Sequence, residues 1–162
     1  MELADIIAFL EETPEVIRRL REGFEDEELR ARADDGSFSL VEQVCHLRDI
    51  EREGYGARIE KILSEELPPL ADIKGGALAA ERRYNEQRFE QGLEEFSEAR
   101  RRNAAVLRGL TDAQLERRGV LEGVGEVTLA RLVSMMREHD AEHLRELVEL
   151  RVQLLGRRET EA

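Results

Sequence analysis

The sequence predicts an all-α fold, a four-helix bundle with residues 1–162 as one domain. Three observations predict it. Apolar residues recur at steps of three and four over most of the chain, strict alternation is absent, and the good helix formers Leu, Ala, Glu and Arg dominate. Aromatics make up 4% of the residues, and only 3 prolines are available to interrupt helices. A chain of 162 residues falls in the one-domain range of about 100–200. At that size roughly 70% of the unfolded surface can be buried, so no cross-link is required.

Each element follows from local signals. The first helix carries Leu3, Ile6, Ile7 and Leu10 on one face. Thr13-Pro14 reads as an N-cap followed by proline at the first helical position. The spacing therefore predicts a kinked or broken helix 1 that restarts there, buries Val16, Ile17 and Leu20, and ends near Gly23. Residues 25–37 read as an acidic loop closed by Asp34-Asp35-Gly36-Ser37. Ser39 with Glu42 forms a capping box that opens helix 2, which runs to about Ser64, where Leu67-Pro68-Pro69 stops it. Glu65 to Gly76 is the main crossover loop. Helix 3 is expected from about Ala77 to Leu107, with Phe89, Leu93, Phe96, Val106 and Leu107 inward. Thr111-Asp112 caps a short turn through Leu115, and Gly119 to Gly125, with three glycines, reads as an irregular connector. Thr128 caps the last long helix, whose seam is Leu129, Leu132, Met136, His139, His143, Leu147, Leu150 and Leu154.

Charge excludes some functions. There are 37 acidic against 25 basic residues, a net charge of −12, and the basic runs Arg82-Arg83 and Arg100-Arg101-Arg102 sit among glutamates. Such a field disfavours nucleic acid and anionic membranes, which need clustered positive charge. The start, Met1-Glu2-Leu3-Ala4-Asp5, has no signal-peptide pattern, and no apolar run approaches the ~18 residues of a membrane span, so the reading is a cytoplasmic protein. One cysteine, Cys45, allows neither an intrachain disulfide nor a cysteine-based zinc site.

The chemistry lies in the histidines. His139 and His143 occupy positions in the last seam where leucine belongs, one helical turn apart on one face. That spacing lets two ring nitrogens converge on an ion about 2.0–2.1 Å from each. His46, the third and last histidine, shares a face of helix 2 with Gln43, Leu47 and Ile50 and completes a three-histidine site if helices 2 and 4 pair. Three protein ligands leave open positions, which suits a catalytic site better than a structural one. The outer ring nitrogens need acceptors, and Asp49, Asp140 and Glu142 are the candidates by helical position. The plainer reading is two core histidines bonded to neighbouring glutamates, with His46 near a surface.

Other residues were weighed against ordinary packing. Cys45 points about 100° away from His46 and reads as a small core residue. Gly54 and Ala57 share the His46 face and read as close helix packing. Tyr84, Asn85, Arg48 and Arg52 read as solvated surface, with a pocket mouth as the alternative.

The stretch Phe38 to Glu51, with Val44-Cys45-His46-Leu47, resembles the start of helix 2 in the DinB-like superfamily (the DinB and YfiT group). Thr128 to Leu147, containing His139-Asp140-Ala141-Glu142-His143, resembles that family's metal-binding last helix. The likeness extends to Thr13-Pro14 and to Arg102 through Leu110. It implies a four-helix bundle of the family's own connectivity, often a homodimer. It also implies a divalent metal, Zn or Ni, on a triad that falls on His46, His139 and His143. Relatives include transferases and isomerases that use bacillithiol or mycothiol. The expected function is therefore a metal-dependent enzyme such as a low-molecular-weight-thiol S-transferase, with a small thiol and an electrophilic small molecule as partners. A metal-dependent hydrolase is the variant, and a non-catalytic metal-binding or structural dimeric bundle is the second class.

Overall fold

The computed structural model describes residues 2–161 and has four long helical rods: α1 (Leu3–Arg21), a helix-2 rod, α6 (Phe89–Arg108) and α8 (Leu129–Glu161). The helix-2 rod begins as α3 (Leu40–Asp49), widens into a π-helical segment (Ile50–Gly56) and finishes as α4 (Ala57–Ser64). The expected capping box opens it: Ser39 accepts from the Glu42 amide and Glu42 from the Ser39 amide. Thr128 likewise accepts from the Arg131 amide at the start of α8. Thr111 caps the short α7 (Asp112–Leu115). No helix among the described residues is long and apolar enough to cross a membrane.

Four expectations are corrected. Helix 1 is neither broken nor restarted at Thr13-Pro14. The Thr13 hydroxyl bonds back to the Phe9 carbonyl at 3.3 Å, and Pro14 lies inside a continuous helix. An interior proline costs about 3 kcal/mol because it leaves the carbonyl four residues earlier without its amide. Here that carbonyl, of Leu10, accepts instead from Arg100 Nη1 at 2.5 Å. A tertiary donor thus removes part of the penalty that local sequence rules assume.

The acidic loop contains one turn of helix, α2 (Asp26–Leu29), whose clustered carboxylates suit a helix N-terminus and whose Leu29 is buried. The expected third helix is split: α5 (Gly75–Glu81), a 3₁₀ turn (Tyr84–Glu86) and then α6. Arg83 takes φ 49°, and the chain leaves the helix so that fully buried Tyr84 can donate to Asp49 Oδ2 at 2.6 Å.

The glycine-rich connector forms a small sheet. β1 (Pro69–Leu70) runs parallel to β2 (Arg118–Leu121), with Pro69 opposite Val120; β2 pairs antiparallel with β3 (Gly125–Thr128), with Arg118 opposite Thr128. The alternation that defines β2 spans four residues and one of its two inward positions is Gly119, too short a signal to read. A Cβ on Gly119 would meet Leu70 Cδ1 at 2.7 Å, so glycine is what lets β2 lie against β1.

Two apolar cores fill the bundle. One gathers Ile6, Leu10, Ile59, Ile62, Leu107, Leu132 and Met136, and the other Ile17, Val44, Leu93, Phe96, Leu147 and Leu150. Each rod passes through both, and the residues between them are polar: His46, Glu51, Arg100, His139, Asp140 and His143.

Candidate metal centre

His46 comes from α3, and His139 and His143 from successive turns of α8. The three rings meet. His46 Nε2 lies 3.2 Å from His139 Nε2, which lies 3.1 Å from His143 Nε2. An ion about 2.0–2.1 Å from each nitrogen in tetrahedral geometry sets its ligand nitrogens about 3.3 Å apart. One ligand atom from each residue lies within 4.8 Å of the others, a spacing one ion can bridge.

The surroundings keep the rings neutral and orient them. Burial pushes the His46 pKa down to about 4 and the His139 pKa to about 2, with the neighbouring rings adding to both; burial also lowers that of His143. Neutral imidazole is the form that ligates a metal. His143 Nδ1 faces Gln43 Oε1 at 2.6 Å and Glu146 Oε2 at 3.2 Å. Gln43 Nε2 donates to the same Glu146 carboxylate at 2.7 Å, so its oxygen must be the atom turned to the imidazole. His143 therefore donates from Nδ1 and presents the Nε2 lone pair to the triad. His46 Nδ1 is buried without a hydrogen-bond partner among the described residues, pressed against Gly75, where a Cβ would sit 2.7 Å away. Phe38 stands 5.7 Å from the His46 ring and the Tyr55 edge 5.8 Å from His139.

A cleft of about 220 Å³ opens beside His46 and His139, walled by Ile50, Tyr55, Ile73, Leu121 and Met135, with Arg58 at its side. The Arg58 guanidinium is braced by the Ala71 carbonyl, through Nε at 3.2 Å and Nη2 at 2.7 Å. Burial pushes the Tyr55 hydroxyl up to about 12, and it donates to the Met135 carbonyl at 3.2 Å. Two residues of the triad thus line a cavity rather than a sealed core.

The three carboxylates expected to hold the rings do not do so by hydrogen bond. Asp49 accepts from Arg48 at 2.8 Å, Arg82 at 2.8 Å and Tyr84 at 2.6 Å. Burial opposes its ionisation, and these donors outweigh it, leaving its pKa below the usual range. Asp140 is spent on Arg100, and Glu142 is exposed. Gln43 and Glu146 take the role at His143. Both stand three residues from a triad histidine on its own helix, the signal that could have found them.

Cys45 is a core residue as expected, its thiol pushed up to about 11 by burial. Gly54 serves close packing, with Ile50 and Ile73 carbons 3.4 and 3.5 Å from where a Cβ would stand. Tyr84 and Arg48 are buried, not solvated surface.

The model of the DinB superfamily matches residues 10–147, which takes in all three histidines. The chain belongs to the DinB superfamily. Among solved structures it is similar to YfiT from Bacillus subtilis, described as a probable metal-dependent hydrolase with an unusual four-helix bundle topology. The two share 25% identity with a TM-score of 0.87, over 94% of this chain and 87% of that one. The four-helix bundle expected from the sequence is thereby matched in topology. No curated protein matches the chain significantly.

Proposed function

We propose that this chain is a metal-dependent hydrolase that holds one divalent ion, Zn or Ni, on His46, His139 and His143. The observation that carries the reading is the convergence of three neutral imidazoles, their Nε2 atoms 3.1 and 3.2 Å apart, with His46 and His139 bordering an open cleft. The hydrolytic description of the similar YfiT structure supports it. Bound there, a divalent ion supplies Lewis acidity, which brings the pKa of a water or thiol in the cleft toward neutrality.

The chain's own residues do the rest. Gln43 and Glu146 fix the tautomer and ring plane of His143. Gly75 and Phe38 confine the His46 ring, and the Tyr55 edge confines His139. Ile50, Ile73, Leu121 and Met135 give the cleft apolar wall beside the histidines, while Asp72, Glu122 and Arg58 make the rest of its lining charged. Arg58 offers the side wall a cation braced by the Ala71 carbonyl, with no carboxylate within ion-pair distance among the described residues.

Thiol S-transfer, the activity of some relatives, uses the same donor set, and one experiment separates the two. Tag-free wild type and His139→Ala are compared for metal content by mass spectrometry, then assayed on activated esters and amides with and without a small thiol. About one Zn or Ni per wild-type chain, absent from the variant, with turnover in the absence of thiol, is the expected result. Turnover that requires thiol replaces hydrolysis by transfer. Folded protein that takes up neither ion returns the triad to buried core histidines.

A further inference from the structure

The two rods that supply the histidines make their main contacts elsewhere: α3 packs chiefly on α6, and α8 on α1. At the level of the triad one guanidinium of a third rod joins them. Arg100 of α6 donates from Nε and Nη2 to the two oxygens of Glu51, both at 2.9 Å. It donates from Nη1 and Nη2 to the two oxygens of Asp140, at 2.6 and 3.0 Å. Its remaining Nη1 donation goes to the Leu10 carbonyl that Pro14 leaves free. A guanidinium has five N–H groups, so every one is used.

The partners sit beside the ligands. Asp140 directly follows His139, three residues before His143. Glu51 is the second residue of the π-helical segment, five after His46. Asn103 Nδ2 holds both the Glu51 carbonyl at 3.1 Å and its carboxylate at 2.9 Å. A Cβ on Gly56 would meet that same carbonyl at 2.9 Å, so glycine is what leaves room for the wide turn. Arg100, Glu51 and Asp140 are 2%, 1% and 1% exposed, and their two carboxylates face one guanidinium.

We propose that Arg100, Glu51 and Asp140 form a positioning and charge-balancing device for the histidine triad. The paired two-point bonds set α8 and the helix-2 rod in register, and the second carboxylate, left uncancelled by Arg100, complements a dication held by three neutral rings. This rests on the metal reading above. Bidentate carboxylate–guanidinium bonds fix orientation as well as distance, which is what a three-ligand site shared between two rods requires. In a buried layer the excess negative charge is weakly screened, so it acts on the neighbouring site.

The test measures Co(II) and Zn affinity by chelator competition, with the Co(II) visible spectrum as a readout of ligand geometry. Asp140→Asn and Glu51→Gln each remove one carboxylate charge while keeping shape. Exposed Glu138→Gln, next to His139 on the same helix, is the control. The expected result is about 10–100-fold weaker binding in both buried variants and none of that loss in the control, matching the usual effect of partners that support metal ligands. Arg100→Lys, which keeps the charge and loses the fork, is expected to shift the Co(II) spectrum, and it decides the matter if the other two fail to fold. Wild-type affinity and spectrum in the folded variants, even at reduced thermal stability, would overturn the device and leave a structural ion cluster. Wild type that takes up no Co(II) or Zn overturns the metal reading itself.

Discussion

The polar layer between the two apolar cores holds two clusters, and they are satisfied to opposite degrees. Around Arg100 every guanidinium hydrogen has an acceptor, the residues are buried, and the cluster spans α1, the π-helical segment, α6 and α8. Around the histidines, three Nε2 atoms crowd together, His46 Nδ1 has no partner among the described residues, and a cleft opens at one side. Burying polar groups without partners costs stability, so a fold retains such an arrangement where another requirement offsets the cost. The difference marks one cluster as a brace and the other as a receptor.

Cutting the brace should produce the largest effect. Arg100→Met leaves Glu51 and Asp140 buried without their cation, and a loss of about 3–5 kcal/mol is expected in urea denaturation. A loss under about 1 kcal/mol would mean that water or a proton replaces the guanidinium easily and that the cluster is not a brace. Next is Gly75→Ala. Its Cβ would stand 2.5 Å from His46 Cε1, so the ring must shift, and metal affinity should fall about 10–100-fold while the melting temperature of the metal-free protein changes little. Unchanged affinity would remove Gly75 from the site.

The receptor should respond in the opposite sense to the brace. His139→Leu restores the leucine seam and removes the ring against which the other two Nε2 atoms crowd, so metal-free protein should gain about 1–3 kcal/mol while losing metal binding. A destabilised variant would make the triad part of the brace.

The gentlest probe is pH. The folded metal-free protein keeps His46 neutral to about pH 4 and His139 to about pH 2, whereas in the unfolded chain both take up protons near 6.5. Below about 6.5 the unfolded state binds more protons, so stability should fall as pH drops toward 4, by at most about 1.4 kcal/mol per pH unit for each ring. His139→Leu should flatten that slope in a pH series of melting curves, and an unchanged slope would assign the acid sensitivity to other groups.

Much of this was legible in one dimension, and the unread parts have specific causes. Ser39–Glu42, Thr111 and Thr128 were readable as caps because a cap is a contact within a few residues. The seam of α8 exposed His139 and His143 because a helix repeats its face every three to four residues. Pro14 misled because the donor that makes it tolerable, Arg100, lies 86 positions further along the chain. Tyr84 misled in the same way: its helix breaks to satisfy Asp49, a partner on another rod. Arg100 itself, in a run of three arginines among glutamates, carries the composition of solvated surface and is among the most buried side chains.

The helical class, the apolar seams, the principal caps and the three candidate histidines are written in the order of residues, since each depends on spacing along one helix. Only the tertiary structure decided that the three Nε2 atoms meet, that Gln43 and Glu146 rather than the nearby aspartates orient His143, and that Glu51, Arg100 and Asp140 close on one another. Those outcomes depend on the relative placement of separate rods. That placement follows from burial summed over whole interfaces, which no local pattern records.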